Sequence, residues 1–435
     1  MWELRGGEFS KVPDAEIIAV GSELLTHERV DTNSLFITEQ LNALGIEVIR
    51  KLVVGDDRRR LTAAIRDALS NVEIVVLSGG LGPTEDDLTR DAVADALGRK
   101  LVFSQETCDQ IEERFRRFQR KMAEINKRQA YLVEGADALE NPRGTAPGQW
   151  IETSVQTKGK PGGRIVMLLP GPPGELKPMF TDQCVPRLIR HLPPQVIRVR
   201  QFRVAGMGES DLDQLIAPVY TKYTNPATTI LAGAGDIHVN LRARGETEEE
   251  VERLLNEVAP PIEELLGDRV YSRNGDSIET VVGNLLRGSR ATLSAAESCT
   301  GGIFGQRLTS VPGSSDYFLG GVIAYSDSMK VALLGVDPVL IETHTAVSEE
   351  VARAMAAGAR VKTGSTYAIS ITGEAGPRSA TGAAPGTVFL GFANEAGTDA
   401  RKLHLPGDRN RIRNLAAQSA LDFVRRKLMA ADARR

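Results

Sequence analysis

The sequence is poor in cysteine, in aromatic residues and in unbroken apolar stretches, and each shortage closes off a class of protein. The three cysteines, Cys108, Cys184 and Cys299, lie far apart and form no CxxC pair. A scattered, odd set argues against a disulfide scaffold and predicts a reducing, cytoplasmic compartment. The five histidines show no zinc-ligand spacing. No apolar run approaches the roughly 20 residues that span a bilayer. Met1–Pro13 has no apolar core of the signal-peptide kind. No membrane contact is therefore expected. Basic charge is not in excess: 53 Lys and Arg face 57 Asp and Glu, a net charge of −4. That disfavours nucleic acid as a partner. Aromatics at 5% are too few for a stacking surface.

What is present is glycine, 42 residues of it, in a chain of 435. At about 150 residues per domain the length predicts two or three domains. The first third alternates apolar runs with amphipathic stretches. Glu16–Val20, Glu47–Val54, Glu73–Leu77 and Arg164–Leu169 read as strands. Asn33–Leu44, Arg58–Leu69, Asp87–Leu97 and a long charged Gln105–Gln129 read as helices. Such alternation predicts a parallel sheet covered on both faces. Between Val196 and Val270 the pattern changes to two strands, Arg198–Val204 and Ile237–Arg244, and one acidic helix, Thr247–Leu266. The α/β rhythm then resumes. The expected fold class is α/β: two parallel-sheet domains, residues 14–180 and 274–435, joined by a small α+β connector, 181–273.

Two strand-to-helix loops carry the chemistry. Ser78-Gly79-Gly80-Leu81-Gly82-Pro83-Thr84-Glu85-Asp86-Asp87 lets backbone N–H groups approach a phosphate at a helix N-terminus. Asp86 and Asp87 are suited to a divalent metal bridging to that phosphate. Gly21-Ser22-Glu23 and Gly55-Asp56-Asp57 reach the same sheet edge. The competing reading is that the glycines only turn the chain and the acids only cap helices.

The second loop is Glu297-Ser298-Cys299-Thr300-Gly301-Gly302. Ser298 sits where a nucleophile points into a cleft and backbone N–H groups receive an oxyanion. No Ser-His-Asp order is evident, so Lys330 is the candidate base and Tyr325 a proton relay. Desolvation at the sheet edge would favour the neutral amine. The competing reading makes Lys330 an exposed helix residue and Tyr325 a core aromatic. Cys299 is the rival nucleophile. The Thr372 hydroxyl, with Gly373, is placed to face the substrate, and Arg409 is a candidate for its phosphate.

These motifs, with Ile17-Ile18-Ala19-Val20-Gly21-Ser22-Glu23-Leu24-Leu25 and Leu169-Pro170-Gly171-Pro172-Pro173-Gly174-Glu175, resemble the CinA (competence/damage-inducible) family over nearly the whole chain. The first domain is similar to molybdopterin-binding proteins of the MoaB/MogA type. The resemblance implies a nucleotide site at Gly21, Ser22, Glu23, Asn33, Gly79, Gly80, Gly82, Pro83, Thr84, Gly171, Pro172 and Glu175. It also implies metal-dependent cleavage of the ADP-ribose pyrophosphate, with a divalent cation such as Mg2+ at Asp56, Asp86 and Asp87.

The last domain is similar to nicotinamide mononucleotide deamidase. That implies Ser298, Tyr325 and Lys330 as catalytic residues, needing no cofactor. Glu297, Cys299, Thr300, Gly301, Gly302, Thr372, Gly373 and Arg409 would then contact the substrate. The connector resembles a KH unit, but Gly206-Met207-Gly208-Glu209 lacks the basic flanks of an RNA clamp. A homodimer is implied. Two other functions stay open: adenylyl transfer to a pterin, and non-catalytic nucleotide binding in DNA uptake. The chain departs from the family between Glu374 and Thr387. Glu374 replaces an apolar residue, and Ala384 stands where the family has Lys.

Overall fold

The computed structural model describes residues 12–432, apart from 118, 158–159, 234 and 378–381. The chain forms two compact units. One holds residues up to 197 with 245–247, and the other holds 198–244 with 248–435.

The first unit is built on a six-stranded sheet. Its order is Glu47–Val54, Asp14–Val20, Ile74–Ser78, Lys160–Leu169, Gly148–Thr157, Ala136–Leu139. The central strand Ile74–Ser78 is buried throughout, as its unbroken apolar run requires. Along Asp14–Val20, Ile17 feeds one core with Ile37, Met167 and Phe180. The next residue, Ile18, feeds the other with Leu61, Ile65 and Val93. Strand side chains alternate between faces, so helices cover both sides.

The expected parallel sheet is corrected to a mixed one. The first four strands run parallel. The last two are antiparallel. Only two residues separate Thr157 from Lys160, far too few for a parallel crossover. The helix expected over Gln105–Gln129 is also shorter. It stops at Arg117, and a separate 3-10 turn spans Glu124–Ala130. Gln119 has φ 56°, a left-handed stop, and the Arg120 amide donates back to Phe115 O. The chain then returns so that Ala130 and Met122 cover Cys108 and Ile111.

In the second unit, Val196–Ala205, Asp236–Gly245, Ala227–Ala232 and Val270–Ser272 form the connector sheet. Helices Glu209–Tyr220 and Glu248–Leu266 pack on each other. This split β-α-β arrangement separates the two helices by a hairpin. The Gly206–Gly208 loop joins Val196–Ala205 to Glu209–Tyr220. A side chain at Gly206 would stand 3.6 Å from the Asp422 carboxylate. The loop is thus packed against the C-terminal helix Arg409–Asp432. Arg425, 1% exposed, joins the same contact by donating to Asp422 and to Asp268 O.

The last domain carries a five-stranded sheet. Its order is Phe318–Ile323, Leu293–Glu297, Tyr367–Gly373, Thr387–Asn394, Gly397–His404. It too is mixed: the first three strands are parallel and the last two antiparallel. Neighbouring residues Ala295 and Ala296 feed separate cores on its two faces. Among the described residues, no helix is long and apolar enough to cross a membrane.

Candidate active sites

The N-terminal site is a cavity of about 610 Å³ at the C-terminal edge of the first sheet. It is lined by Gly21, Glu23, Asn33, Asp56, Gly79, Gly80, Gly82, Pro83, Asp86, Asp87, Gly171, Pro172 and Glu175. Nearly the whole expected set therefore converges on one space. Ser22 and Thr84 act behind the wall. The Ser22 amide donates to Asp56 Oδ2 at 2.8 Å, and the Asp56 amide donates to Ser22 Oγ at 3.0 Å. The Thr84 amide and hydroxyl both donate to Asp87 Oδ2, at 2.8 and 2.5 Å. A Cβ at Gly82 would stand 2.4 Å from that same oxygen and force the Asp87 carboxylate to move. Asn33 Nδ2 donates to Gly171 O at 2.7 Å and ties the two loops together. Glu175 is held by Asn141 Nδ2 at 2.7 Å.

Asp56, Asp86 and Asp87 all line the cavity. Among the described residues, no three His, Cys, Asp or Glu side chains group to hold a metal ion. Asp56 and Asp87 each give an oxygen to loop N–H or O–H donors instead. At Asp57 the capping alternative holds: its carboxylate accepts from the Arg60 amide at 2.9 Å and starts the helix Arg58–Asn71. That bond holds the carboxyl below its ordinary pKa. Sequence reasoning missed Arg29, Asp31, Gln129 and Thr145, which also line the cavity. No spacing announces them, because they come from three distant segments of the chain: the Arg29–Asp31 loop, the Glu124–Ala130 turn and the loop at Thr145.

The C-terminal site forms where Leu293–Glu297 and Phe318–Ile323 end side by side, with Glu297 opposite Ile323. Ser298 is buried, and its amide donates to Ile371 O at 2.9 Å. Ala324 N–H donates to Glu297 O at 2.9 Å, which brings Tyr325 to the same edge. Both competing readings fail by inversion. Lys330, on helix Asp327–Leu334, is 2% exposed, whereas Tyr325 is 59% exposed. Lys330 Nζ donates to Asp327 Oδ1 at 3.0 Å, a partner that spacing did not reveal. Arg409 bridges Tyr325 Oη and Gly376 O, each at 2.8 Å.

Four residues expected to contact the substrate engage polar groups within the protein. Glu297 is turned inward. Its carboxylate accepts the amides of Gly302 at 3.0 Å, Phe304 at 3.1 Å and Gly305 at 2.9 Å, and so caps the helix Ile303–Thr309. The Thr372 hydroxyl donates to Ala346 O at 2.8 Å in the interior. Gly301 and Gly302 spend their amides on Ser298 O and Glu297. Among the described residues, this leaves the Cys299 and Thr300 amides as the ones in this turn without an acceptor. Gly373 has to be glycine for another reason: a Cβ would stand 2.7 Å from Thr387 O. Burial pushes the Cys299 thiol up to about 12, so it is a poor rival for Ser298. Sequence reasoning missed Arg413, which donates to Cys299 O at 3.1 Å and Thr300 O at 2.8 Å. Its position four residues after Arg409, on the same helix face, was the available signal. Glu374 is buried, and residues 378–381 of the divergent stretch lie outside the described residues.

The fold and sites together define a two-site α/β protein, with a loop-walled cavity in one unit and a serine–lysine edge in the other. Residues 16–190 match the family described as a probable molybdopterin binding domain. Residues 199–272 match the damage-inducible protein CinA KH domain, and 275–428 the CinA C-terminal domain. A CinA-like protein of Solibacter usitatus is 60% identical over 95% of this chain and 98% of its own length. Another, of Koribacter versatilis, is 47% identical over 95% of this chain and all of its own. The solved structure of the protein CinA with unknown function from Thermoplasma acidophilum is 31% identical. It covers 40% of this chain and 97% of its own, with a TM-score of 0.35. The chain belongs to the CinA family.

Proposed function

We propose that the C-terminal unit hydrolyses the carboxamide of nicotinamide mononucleotide, and that the N-terminal unit cleaves the diphosphate of ADP-ribose. The observation that carries the first reading is Lys330, a buried amine on the helix that follows the strand beside Ser298. Ser298 Oγ attacks the carboxamide carbon, and Lys330 as the free amine takes its proton. The amides of Cys299 and Thr300 receive the oxyanion. The C–N bond breaks, Lys330 returns the proton to the leaving nitrogen, and ammonia departs. Water then attacks the Ser298 ester, with Lys330 as base again, and releases nicotinic acid mononucleotide. The half-exposed Asp327 carboxylate offers the lysine's proton a route to solvent. Arg409, anchored beside Tyr325, faces the ligand's phosphate.

In the N-terminal cavity six carboxylates, Glu23, Asp31, Asp56, Asp86, Asp87 and Glu175, line the wall. They would repel a bare diphosphate. Among the described residues no three-ligand metal group is found, so on this reading a divalent cation enters with the substrate, as the cation–diphosphate complex.

The test is a paired assay on the full chain: ammonia release from nicotinamide mononucleotide and nucleoside monophosphate release from ADP-ribose. Ser298→Ala should abolish the first and leave the second intact. Unchanged ammonia release would sink the nucleophile assignment. Turnover of ADP-ribose without any pterin separates this reading from adenylyl transfer.

A further inference from the structure

Four consecutive carbonyls of the glycine loop are held from behind by two neighbouring residues. The Thr89 hydroxyl donates to Gly79 O at 2.8 Å, and its amide donates to Gly80 O at 3.3 Å. Arg90 Nη1 donates to Leu81 O and Nη2 to Gly82 O, each at 2.8 Å. Thr89 and Arg90 open the helix Thr89–Leu97 and are 0% and 4% exposed.

A trans peptide unit is planar, with its C=O and the following N–H pointing in opposite directions. Pinning the carbonyls of Gly79, Gly80 and Leu81 therefore turns the amides of Gly80, Leu81 and Gly82 the other way. The Gly79 amide is already spent on Leu169 O. Among the described residues, those next three amides have no acceptor, and all three residues line the cavity. Gly79 and Gly80 have φ of 103° and 65°, which this path requires.

The charge matters as much as the geometry. Among the described residues, Arg90 makes no ion pair. Burial pulls its pKa below the ordinary arginine value, and the fields of Asp87 and Asp91 offset this only in part. A buried cation without a carboxylate partner is costly, and an anion above the loop relieves that cost.

We propose that Thr89 and Arg90 are the positioning pair of a three-amide phosphate cradle, and that the charge of Arg90 directs this cavity to ligands carrying two linked phosphates. The inference rests on the reading of the cavity as a diphosphate site. Neither residue touches the ligand; both act through the loop.

Calorimetric titration of the full chain with inorganic pyrophosphate and with ADP-ribose, both with Mg2+, tests it. Arg90→Met removes two charged hydrogen bonds and should weaken pyrophosphate about 100-fold or more; Thr89→Val removes one neutral bond and should weaken it about 2- to 10-fold. Thr89→Ser keeps the hydroxyl and should bind as the unmodified chain does. Ammonia release should stay unchanged in all three, which reports an intact fold elsewhere in the chain. Unmodified affinity in Arg90→Met overturns the proposal, as does a Thr89→Ser variant as weak as Thr89→Val. If the unmodified chain binds pyrophosphate but leaves ADP-ribose uncleaved, the assigned reaction fails and the cradle stands. If it binds neither probe, both fail.

Discussion

Glu297→Gln is the substitution that separates a substrate ligand from a structural cap. In the structure the Glu297 carboxylate accepts three backbone amides, two on Oε2 and one on Oε1. A glutamine has one carbonyl oxygen and an NH2 group. Its oxygen can take the Oε2 position and keep the amides of Gly302 and Phe304, but its NH2 group then faces the Gly305 amide. A hydrogen bond to a charged group contributes about 1.5–3 kcal/mol, so losing this one costs ~1.5–3 kcal/mol. The carboxylate is almost fully buried, so water does not replace it. For a unit of this size each kcal/mol moves the midpoint by ~2–4 °C. The expected drop is therefore roughly 3–12 °C for the second unit. Differential scanning calorimetry of the full chain reads it. Initial rates of ammonia release, taken well below the transition, should show an unchanged KM. A variant whose unfolding trace overlays the parent while its KM rises would refute the capping argument and restore Glu297 as a substrate contact.

Other outcomes follow from the same geometry. The Cys299 thiol, raised by burial to about 12, stays protonated below that pH. Alkylating reagents at pH 8 should leave ammonia release intact, and Cys299→Ala should retain activity; loss of activity in both would reinstate the thiol. Arg413→Met frees the carbonyls of Cys299 and Thr300. It should lower kcat about 10- to 100-fold, less than the ~100- to 1,000-fold of removing an oxyanion donor outright, with KM moving less than threefold; the reverse split would assign Arg413 to the ligand. Arg409→Met should raise KM for nicotinamide mononucleotide at least tenfold and shrink its advantage over the phosphate-free riboside. An unchanged ratio of the two would remove Arg409 from phosphate recognition.

Much of the candidate site was legible in the residues. Gly79 and Gly80, both at positive φ, announce a tight strand-to-helix turn with close backbone approach. Ser298 between a β-run and paired glycines announces a second strand-to-helix turn for the same local reason. The carboxylates were legible as types but not as roles. Asp57, Asp87 and Glu297 look alike beside their glycines. One caps a helix, one braces Thr84, and one caps a helix from inside the core. Which it is depends on where the nearest unspent amide lies, and spacing along the chain does not report that.

The sequence by itself determined the main alternation of strands and helices at both ends of the chain, the two glycine loops and the absence of membrane-spanning or metal-finger patterns, but not strands such as Gly148–Thr157 and Ala227–Ala232 or the helix Glu209–Tyr220. These are short-range properties, set by side-chain periodicity and backbone freedom within about ten residues. The tertiary structure alone decided that both sheets are mixed, that Lys330 is buried while Tyr325 is exposed, and that Arg413 reaches across 114 positions to hold Cys299. Burial and hydrogen-bond partnership are properties of packed neighbours. The sheet edge brings those neighbours together from distant parts of the chain, so they exist only once the fold has closed.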